Sequence, residues 1–418
     1  MKIEAPRGTH DVLPADQLLR QAVIGAGEST AARFGYSRIT TPTFEETTLF
    51  ERTSGEGSDV VNKEMYTFLD RGGRSLTLRP EGTASVARAY IERGMHRLPQ
   101  PVKTFYLGPM FRYAAPQKGR YREFWQIGLE ALGSDDPALD AELMLAFVDI
   151  LTSLGISGVR LQLNSIGGRE CRGDYLERLR AFLAEHEESL DEDARRKAAR
   201  SPLRVFDTKN PALAEVLRDA PKIGDALCAA CAAHFESVRA HLDAAGVAYE
   251  LVPELVRGLD YYTRTVWEFI DDSLDAAQST LCAGGRYDHL VEGIGGPAAP
   301  GVGWAVGIER LELSASALEL PTGIDVFLLL AEDVDRPRAL AELTSLRRAG
   351  LRCETDYASR SMKGQLTHAN RLGAAWRVRV DGTGATIERR GLAEVSEVGV
   401  AIDRIAERVL AHVERTRG

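Results

Sequence analysis

The chain has 418 residues, 44% hydrophobic and 27% charged, the balance of a globular protein of two or three domains. No run of about 18 apolar residues is present, which argues against a membrane span, and the polar start MKIEAPRGTHDVLP lacks a signal peptide's apolar core, so a cytoplasmic protein is expected. The formal charge of −9 is uneven: residues 322–418 hold 16 Lys and Arg against 14 Asp and Glu, and local patches, not the total, decide nucleic-acid contact.

The first helix is expected from about Pro14-Ala15-Asp16 through Phe34, ended by Gly35-Tyr36. Residues 38–44 read as a strand with Pro42 at its centre. Proline removes a ladder donor, so this strand suits an edge or an interface. Residues 64–71 and 74–79 alternate as strands joined by Gly72-Gly73. Pro80-Glu81-Gly82-Thr83 then turns the chain into a helix over 83–94, with Thr83 as N-cap and Glu81 where a ligand can be reached. Residues 105–130, FYLGPMFRYAAPQKGRYREFWQIGLE, predict an antiparallel hairpin with a basic tip at 116–121. Arg112 lies near the end of the first arm. On the second arm Gln126, Gly128 and Glu130 are two apart and share one polar face.

A helix over 140–154 and a strand over 158–164 follow. From 167 to about 245 the chain is Ala-, Arg- and Glu-rich with helical periods, which reads as a helical insertion. Within it Cys228-Ala-Ala-Cys231-Ala-Ala-His234 offers three candidate ligands at i, i+3 and i+6, along one side of a helix. Structural zinc takes four ligands and free cysteine packs as a small hydrophobe, so helix packing and no bound metal are expected. Five cysteines in a chain this long form no disulfide framework. Strands are expected at 247–256, 259–270 and 280–283, a turn at 284–288, a Gly-rich loop at 293–301, a strand at 303–307 and a helix at 308–318. Glycines flanking that last strand, Gly303 and Gly307, permit close backbone approach by a ligand. Beyond Pro321-Thr322-Gly323, strand and helix alternate in a small α/β module. The expected fold is α/β. An α+β catalytic domain with an antiparallel sheet and helical insertion spans 1–320, and an α/β domain spans 321–418.

The ordered set Arg7-Gly8-Thr9-His10-Asp11, Leu78-Arg79-Pro80-Glu81-Gly82-Thr83, the hairpin, LVRGLDYY at 255–262, AGGRYD at 283–288 and GVGWAVGIERL at 301–311 resembles the class II aminoacyl-tRNA synthetases. Within them it resembles the histidyl-tRNA synthetase family. LVRGLDYY and AGGRYD are the segments that point to histidine. The resemblance implies ATP-dependent activation of L-histidine and its transfer to the 3′ end of tRNA(His), by a homodimer whose interface is built around Pro42. It implies an anticodon-binding role for 321–418, and Mg2+ arriving with ATP. Amino-acid activation builds negative charge on phosphorus oxygens, so fixed cations are required. Arg112, Arg257 and Arg310 are the candidates, with Arg257 and Arg112 catalytic. Glu81 and Thr83 suit the α-ammonium, with Gln126 assisting. Glu130 accepts from one imidazole nitrogen, and Tyr261 or Tyr262 donates to the other. Adjacent strand residues face opposite ways, so one tyrosine is expected in the pocket and one packed.

One departure stands out. The family places an acidic and a basic residue directly after Phe-Arg-x in the hairpin, for the adenine amino group and the tRNA acceptor end. Here Ala114 and Ala115 stand there, leaving adenine to backbone groups or to weaker binding. A non-catalytic paralogue, the histidine-sensing regulatory subunit of the histidine-biosynthetic ATP phosphoribosyltransferase, is the alternative. That class typically lacks the C-terminal domain and has an eroded histidine motif, and both are intact here.

Overall fold

The computed structural model describes residues 3–54, 64–208, 210–274, 279–391 and 395–417. The chain divides into two compact units, Met1–Leu318 and Glu319–Gly418. The first unit opens with α1 (Gln17–Arg33), β1 (Ser37–Arg38), β2 (Phe44–Glu46), α2 (Thr47–Ser54), β3 (Tyr66–Leu69), β4 (Ser75–Leu78) and α3 (Thr83–Glu92). The long hairpin β5 (Val102–Phe111) and β6 (Glu123–Leu132) follows, then α4 (Pro137–Ser153) and β7 (Val159–Ser165). The insertion is helical: α5 (Arg169–Glu185), α6 (Glu192–Arg200), α7 (Pro211–Val216) and α8 (Ala229–Ala244). The unit closes with β8 (Glu250–Leu251), β9 (Thr263–Asp271), β10 (Thr280–Arg286), α9 (Leu290–Gly293), β11 (Gly301–Gly307) and α10 (Ile308–Ser314).

Eight strands form one sheet in the order β1-β5-β6-β11-β10-β9-β7-β8, and β2-β4-β3 form a second. The inner pairings of the large sheet are antiparallel, with parallel pairs only at its two edges. Ile127, Leu129 and Ala131 of β6 join a core with α1, α4, α8 and α10. Strand alternation therefore turns Gln126, Gly128 and Glu130 to the opposite face. Local chemistry sets the α4 start: the Asp136 side chain accepts from the Ala138 amide at 2.9 Å, and Pro137 supplies a first-turn residue with no N–H to satisfy.

Several expectations change. Residues 38–44 are not one strand. The chain leaves the large sheet after β1 and enters the small one at β2, and the Pro42 region is the crossing between them. Arg79 staples it, donating from Nη1 to the Thr41 carbonyl at 3.1 Å and from Nε to the Pro109 carbonyl at 2.9 Å. Thr83 is not a cap. It is the first residue of α3, and the Glu81 carboxylate does the capping, accepting from the amides of Thr83 at 2.6 Å and Ala84 at 2.9 Å. The strand expected over 247–256 shrinks to Glu250–Leu251, and β9 begins only at Thr263, leaving Tyr261 and Tyr262 in the preceding turn.

The second unit contains β12 (Val326–Leu330), α11 (Arg336–Arg348), β13 (Cys353–Thr355), α12 (Met362–Arg371), β14 (Trp376–Asp381), β15 (Gly384–Arg389), β16 (Val395–Val400) and α13 (Ile405–Arg417). Its mixed sheet runs β13-β12-β14-β15-β16. β16 closes one edge of this sheet, and the last helix begins only at Ile405. Polar side chains cap two helices: Asp335 accepts from the Arg338 amide at 3.1 Å and Ser361 from the Gly364 amide at 3.3 Å.

A buried ionic network ties the first unit together. Arg286, at the end of β10, pairs with Asp140 of α4, and both side chains are fully buried. Asp140 also meets His234 Nε2 of α8 at 2.9 Å. Removing one partner of a buried pair strands the other charge, which typically costs about 3–5 kcal/mol. Asp140→Asn keeps the shape and removes the charge. We expect it to lower unfolding free energy in urea by about 3 kcal/mol. A loss below about 1 kcal/mol, the level of a surface pair, contradicts this.

Candidate active site

The sheet face that carries Gln126 holds a cavity of about 320 Å³. Glu81 and Thr83 enter it from the start of α3, Arg112 from just beyond β5, and Gln126 from β6. Arg257, Tyr261 and Tyr262 come from the 255–262 segment, and Arg310 from the first turn of α10. Each stands at the end of an element or in a turn, except Gln126, which is read off a strand face.

The cavity is short of negative charge. Arg310 is pushed down to about 10, first by burial and then by the charges of Arg112, Arg120 and Arg257. Burial likewise lowers Arg112. Arg112 is anchored through Nε to the Pro80 carbonyl at 2.8 Å and lies over the Phe124 ring. Arg310 donates to the Thr280 carbonyl. Arg257 pairs with Glu268, which also accepts from Thr280 Oγ1 at 2.9 Å. Among the described residues, Arg257 Nε and Gln126 Oε1 are buried with no hydrogen-bond partner. Native proteins rarely leave such atoms unsatisfied unless a ligand or water completes them.

Glu130 lies behind the lining. One carboxyl oxygen accepts from Thr83 Oγ1 at 2.6 Å and the other from the Tyr287 hydroxyl. Tyr287 follows β10, and β11 runs between it and β6. Glycines on β11 make the meeting possible. A Cβ at Gly301 would overlap the Tyr287 ring at 2.2 Å, and one at Gly303 would overlap Glu130 Oε2 at 1.8 Å. The space at Gly303, expected to admit a ligand, is therefore filled by Glu130. Gly307 keeps its open side.

A family model described as Histidyl-tRNA synthetase matches residues 8–311. A histidine–tRNA ligase of Halothermothrix orenii is 44% identical over 410 residues, covering 96% of this chain and 98% of the relative. One from Desulforamulus reducens is 46% identical over 371 residues, 88% of each. The crystal structure of apo S. aureus histidyl-tRNA synthetase superposes with a TM-score of 0.82 at 35% identity, covering 98% of this chain and all of that one. The chain belongs to the histidyl-tRNA synthetase family.

Of the nine residues singled out from the sequence, eight line the cavity and Glu130 stands one contact deeper. The tyrosines differ from expectation. Both line the cavity, with ring centroids 4.7 Å apart, because the turn conformation frees them from strand alternation. Burial holds both hydroxyls above their ordinary value, so they remain O–H donors. Tyr287 and Arg286 belong to AGGRYD, which the sequence marks as a turn and as a histidine-pointing segment without giving either side chain a role. A buried carboxyl on β6 needs donors, and Gly-x-Gly on the neighbouring strand was the signal that could have found Tyr287. Ala114 lines the cavity as a bare methyl, and Ala115 is exposed. The Ala114 amide already donates to the Arg112 carbonyl at 2.8 Å.

Burial pushes the Glu130 carboxyl from 4.5 up to about 8. Between those values the folded protein keeps a proton that the unfolded chain has lost, so stability falls as pH rises through the window. Glu130→Gln removes this titration. We expect the stability of wild type relative to Glu130→Gln to decline steadily from about pH 5 to about pH 8 in urea titrations. A pH-independent difference would mean that Glu130 ionises as an ordinary carboxylate.

Proposed function

We propose that the cavity binds ATP and L-histidine side by side, joins them as histidyl-adenylate, and passes the histidyl group to the 3′ end of tRNA(His). The observation that carries this reading is the convergence of Arg112, Arg120, Arg257 and Arg310 on one cavity, where burial first and the neighbouring guanidinium charges second lower Arg310. A polyanion relieves that repulsion, and a triphosphate supplies the charge.

The histidine carboxylate attacks the α-phosphorus, a P–O bond forms, and the bond to pyrophosphate breaks. Negative charge grows on the phosphoryl oxygens, where fixed guanidinium groups act without reorganising. Arg112 and Arg257 are assigned to the α-phosphate and the amino-acid carboxylate, and Arg310 to the γ-phosphate end. Gln126 Oε1, with no protein partner, and the Glu81 carboxylate face the α-ammonium. A Tyr261 or Tyr262 hydroxyl donates to one ring nitrogen, and Glu130, one contact behind the lining, is assigned as acceptor for the other through the Thr83 hydroxyl that it holds. A site built on such pairs rejects isosteres strongly, because its buried polar groups would be left unpaired. Mg2+ enters with the nucleotide. Glu309 is engaged by Arg20 and the Trp125 amide, and Glu81 is assigned to the ammonium, so neither carboxylate is assigned to the ion. The Ala114-Ala115 pair is the one feature favouring a histidine-sensing regulatory subunit, which would bind histidine without pyrophosphate exchange.

Residues 319–418 are assigned to the tRNA anticodon, the chain is assigned to the cytoplasm as a symmetric homodimer, and the Pro42 region is placed near the two-fold. Among the described residues no helix is long and apolar enough to cross a membrane. A chain ending at Leu318 should remain dimeric by light scattering and keep histidine-dependent pyrophosphate exchange, while charging of tRNA(His) is lost. Loss of exchange in a folded, dimeric truncation contradicts this division of labour.

Arg257 is expected to carry transition-state stabilisation. Arg257→Ala should lower the turnover of ATP–pyrophosphate exchange by ~10²–10³ while histidine binding weakens far less. Arg257→Lys keeps the charge and loses the fork, so its rescue should be partial. A collapse of histidine binding with normal turnover at saturation would make Arg257 a ground-state ligand.

A further inference from the structure

The insertion contains a second cluster of reactive groups, outside the cavity. Cys171, Cys228 and Cys231 bring their sulfurs within 4.8 Å of one another. Cys171 is the third residue of α5, Cys228 immediately precedes α8, and Cys231 is in that helix's first turn. The Cys-x-x-Cys pair was expected to share its helix side with His234. The structure separates them: His234 turns to Asp140, and Cys171, 57 residues before Cys228, takes its place.

We propose that these three thiols bind one zinc ion. Three observations support this. First, the sulfurs converge on one point, although α8 begins with Ala229, Ala230, Ala232 and Ala233, so small apolar packing there is available without cysteine. Second, backbone amides face the sulfurs. Gly168 N–H donates to Cys231 Sγ at 3.3 Å, Cys228 N–H to Cys171 Sγ at 3.1 Å, and the Cys231 amide is directed at Cys228. Such N–H donors hold metal-bound thiolates in place, as outer partners do around metal sites generally. Third, the spacing is close to what the metal needs. Zn–S bonds of about 2.3 Å in a tetrahedron put sulfurs about 3.8 Å apart, so a contraction of about 1 Å at the widest pair suffices.

Cys171 and Cys231 are buried and Cys228 is partly exposed, which gives an entry path and leaves the fourth position to solvent. Binding releases the thiol protons. Three thiolates and one Zn2+ leave a net charge of −1, and the Arg172 guanidinium lies close enough to Cys171 and Cys231 to feel their charge. Arg172 also donates to the carbonyls of Ile166 and Tyr262. The metal would therefore pin α5 to α8 and, through Arg172, steady the backbone of Tyr262 in the cavity wall.

The test uses the full chain, purified without metal-affinity resin or chelator. Elemental analysis should give one zinc per chain. Cys171→Ser and Cys231→Ser should lose it, and Cys353→Ser, in the second unit, should keep it. A second measurement avoids reliance on variants that fail to fold. Wild type stripped of zinc and refilled with Co2+ should show a thiolate-to-cobalt charge-transfer band in the near ultraviolet, with the strong visible absorption of a tetrahedral ion. Cobalt bound without that band overturns the proposal. So does a disulfide among the three cysteines, found by alkylating the native, unreduced chain and weighing its peptides.

Discussion

The floor of the cavity depends on one carboxyl held out of water. Glu130 is 1% exposed, and its partners are two hydroxyls. Burying a charge without a counter-ion is costly, so the group keeps its proton far above the usual carboxylate range instead. The two hydroxyls come from distant parts of the chain, Thr83 at the start of α3 and Tyr287 after β10. Each is placed by something else. Glu81 caps α3 and thereby sets Thr83, while the missing side chains of Gly301 and Gly303 leave the gap into which Tyr287 and Glu130 fit. A change at any of these positions propagates to the carboxyl.

A second network, also buried, ties that floor to the rest of the unit. Arg286 immediately precedes Tyr287, and its pairing with Asp140 anchors the end of β10 to α4. His234 brings α8 to the same aspartate, so the last helix of the insertion is tied to the sheet by polar contact as well as by apolar packing. Buried pairs of this kind are often no more stabilising than apolar residues of the same shape. Their effect here is on placement. Apolar surfaces tolerate small slips, whereas a guanidinium that must meet Asp140, Asp288 and the Ser134 carbonyl has few alternatives.

Most of the architecture was legible because it rests on periodicity. The β5–β6 hairpin, the helical insertion and the alternation in the second unit all follow from patterns of two or 3.6 residues. What failed was local and had tertiary causes. The segment around Pro42 looked like one strand, but its two ends belong to different sheets and a buried Arg79 fixes the crossing. Thr83 looked like a cap, but Glu81 was better placed and Thr83 was needed by Glu130. Tyr261 and Tyr262 were assigned opposite faces by a strand rule that does not hold in a turn. The contribution of Cys171 could not be read from spacing, because it approaches α8 from another helix.

The chain's net charge of −9 coexists with an arginine-lined cavity, and the anchoring of those arginines explains how. Among the described residues, Arg112 and Arg310 form no ion pair with a carboxylate, and their recorded anchors are the neutral carbonyls of Pro80 and Thr280. A carbonyl fixes the direction of a guanidinium without cancelling its charge. Arg20 shows the opposite arrangement, with Glu309 at 2.9 Å and Glu312 at 3.4 Å, and it packs beside Trp125 as structure. Arg257 lies between these cases, since Glu268 takes one nitrogen while Nε stays without a partner. The potential inside a partly desolvated cavity depends on this local bookkeeping far more than on charges spread over the surface, which salt screens within about 10 Å. An acidic protein can thus keep a strongly positive interior by choosing which of its arginines meet a carboxylate.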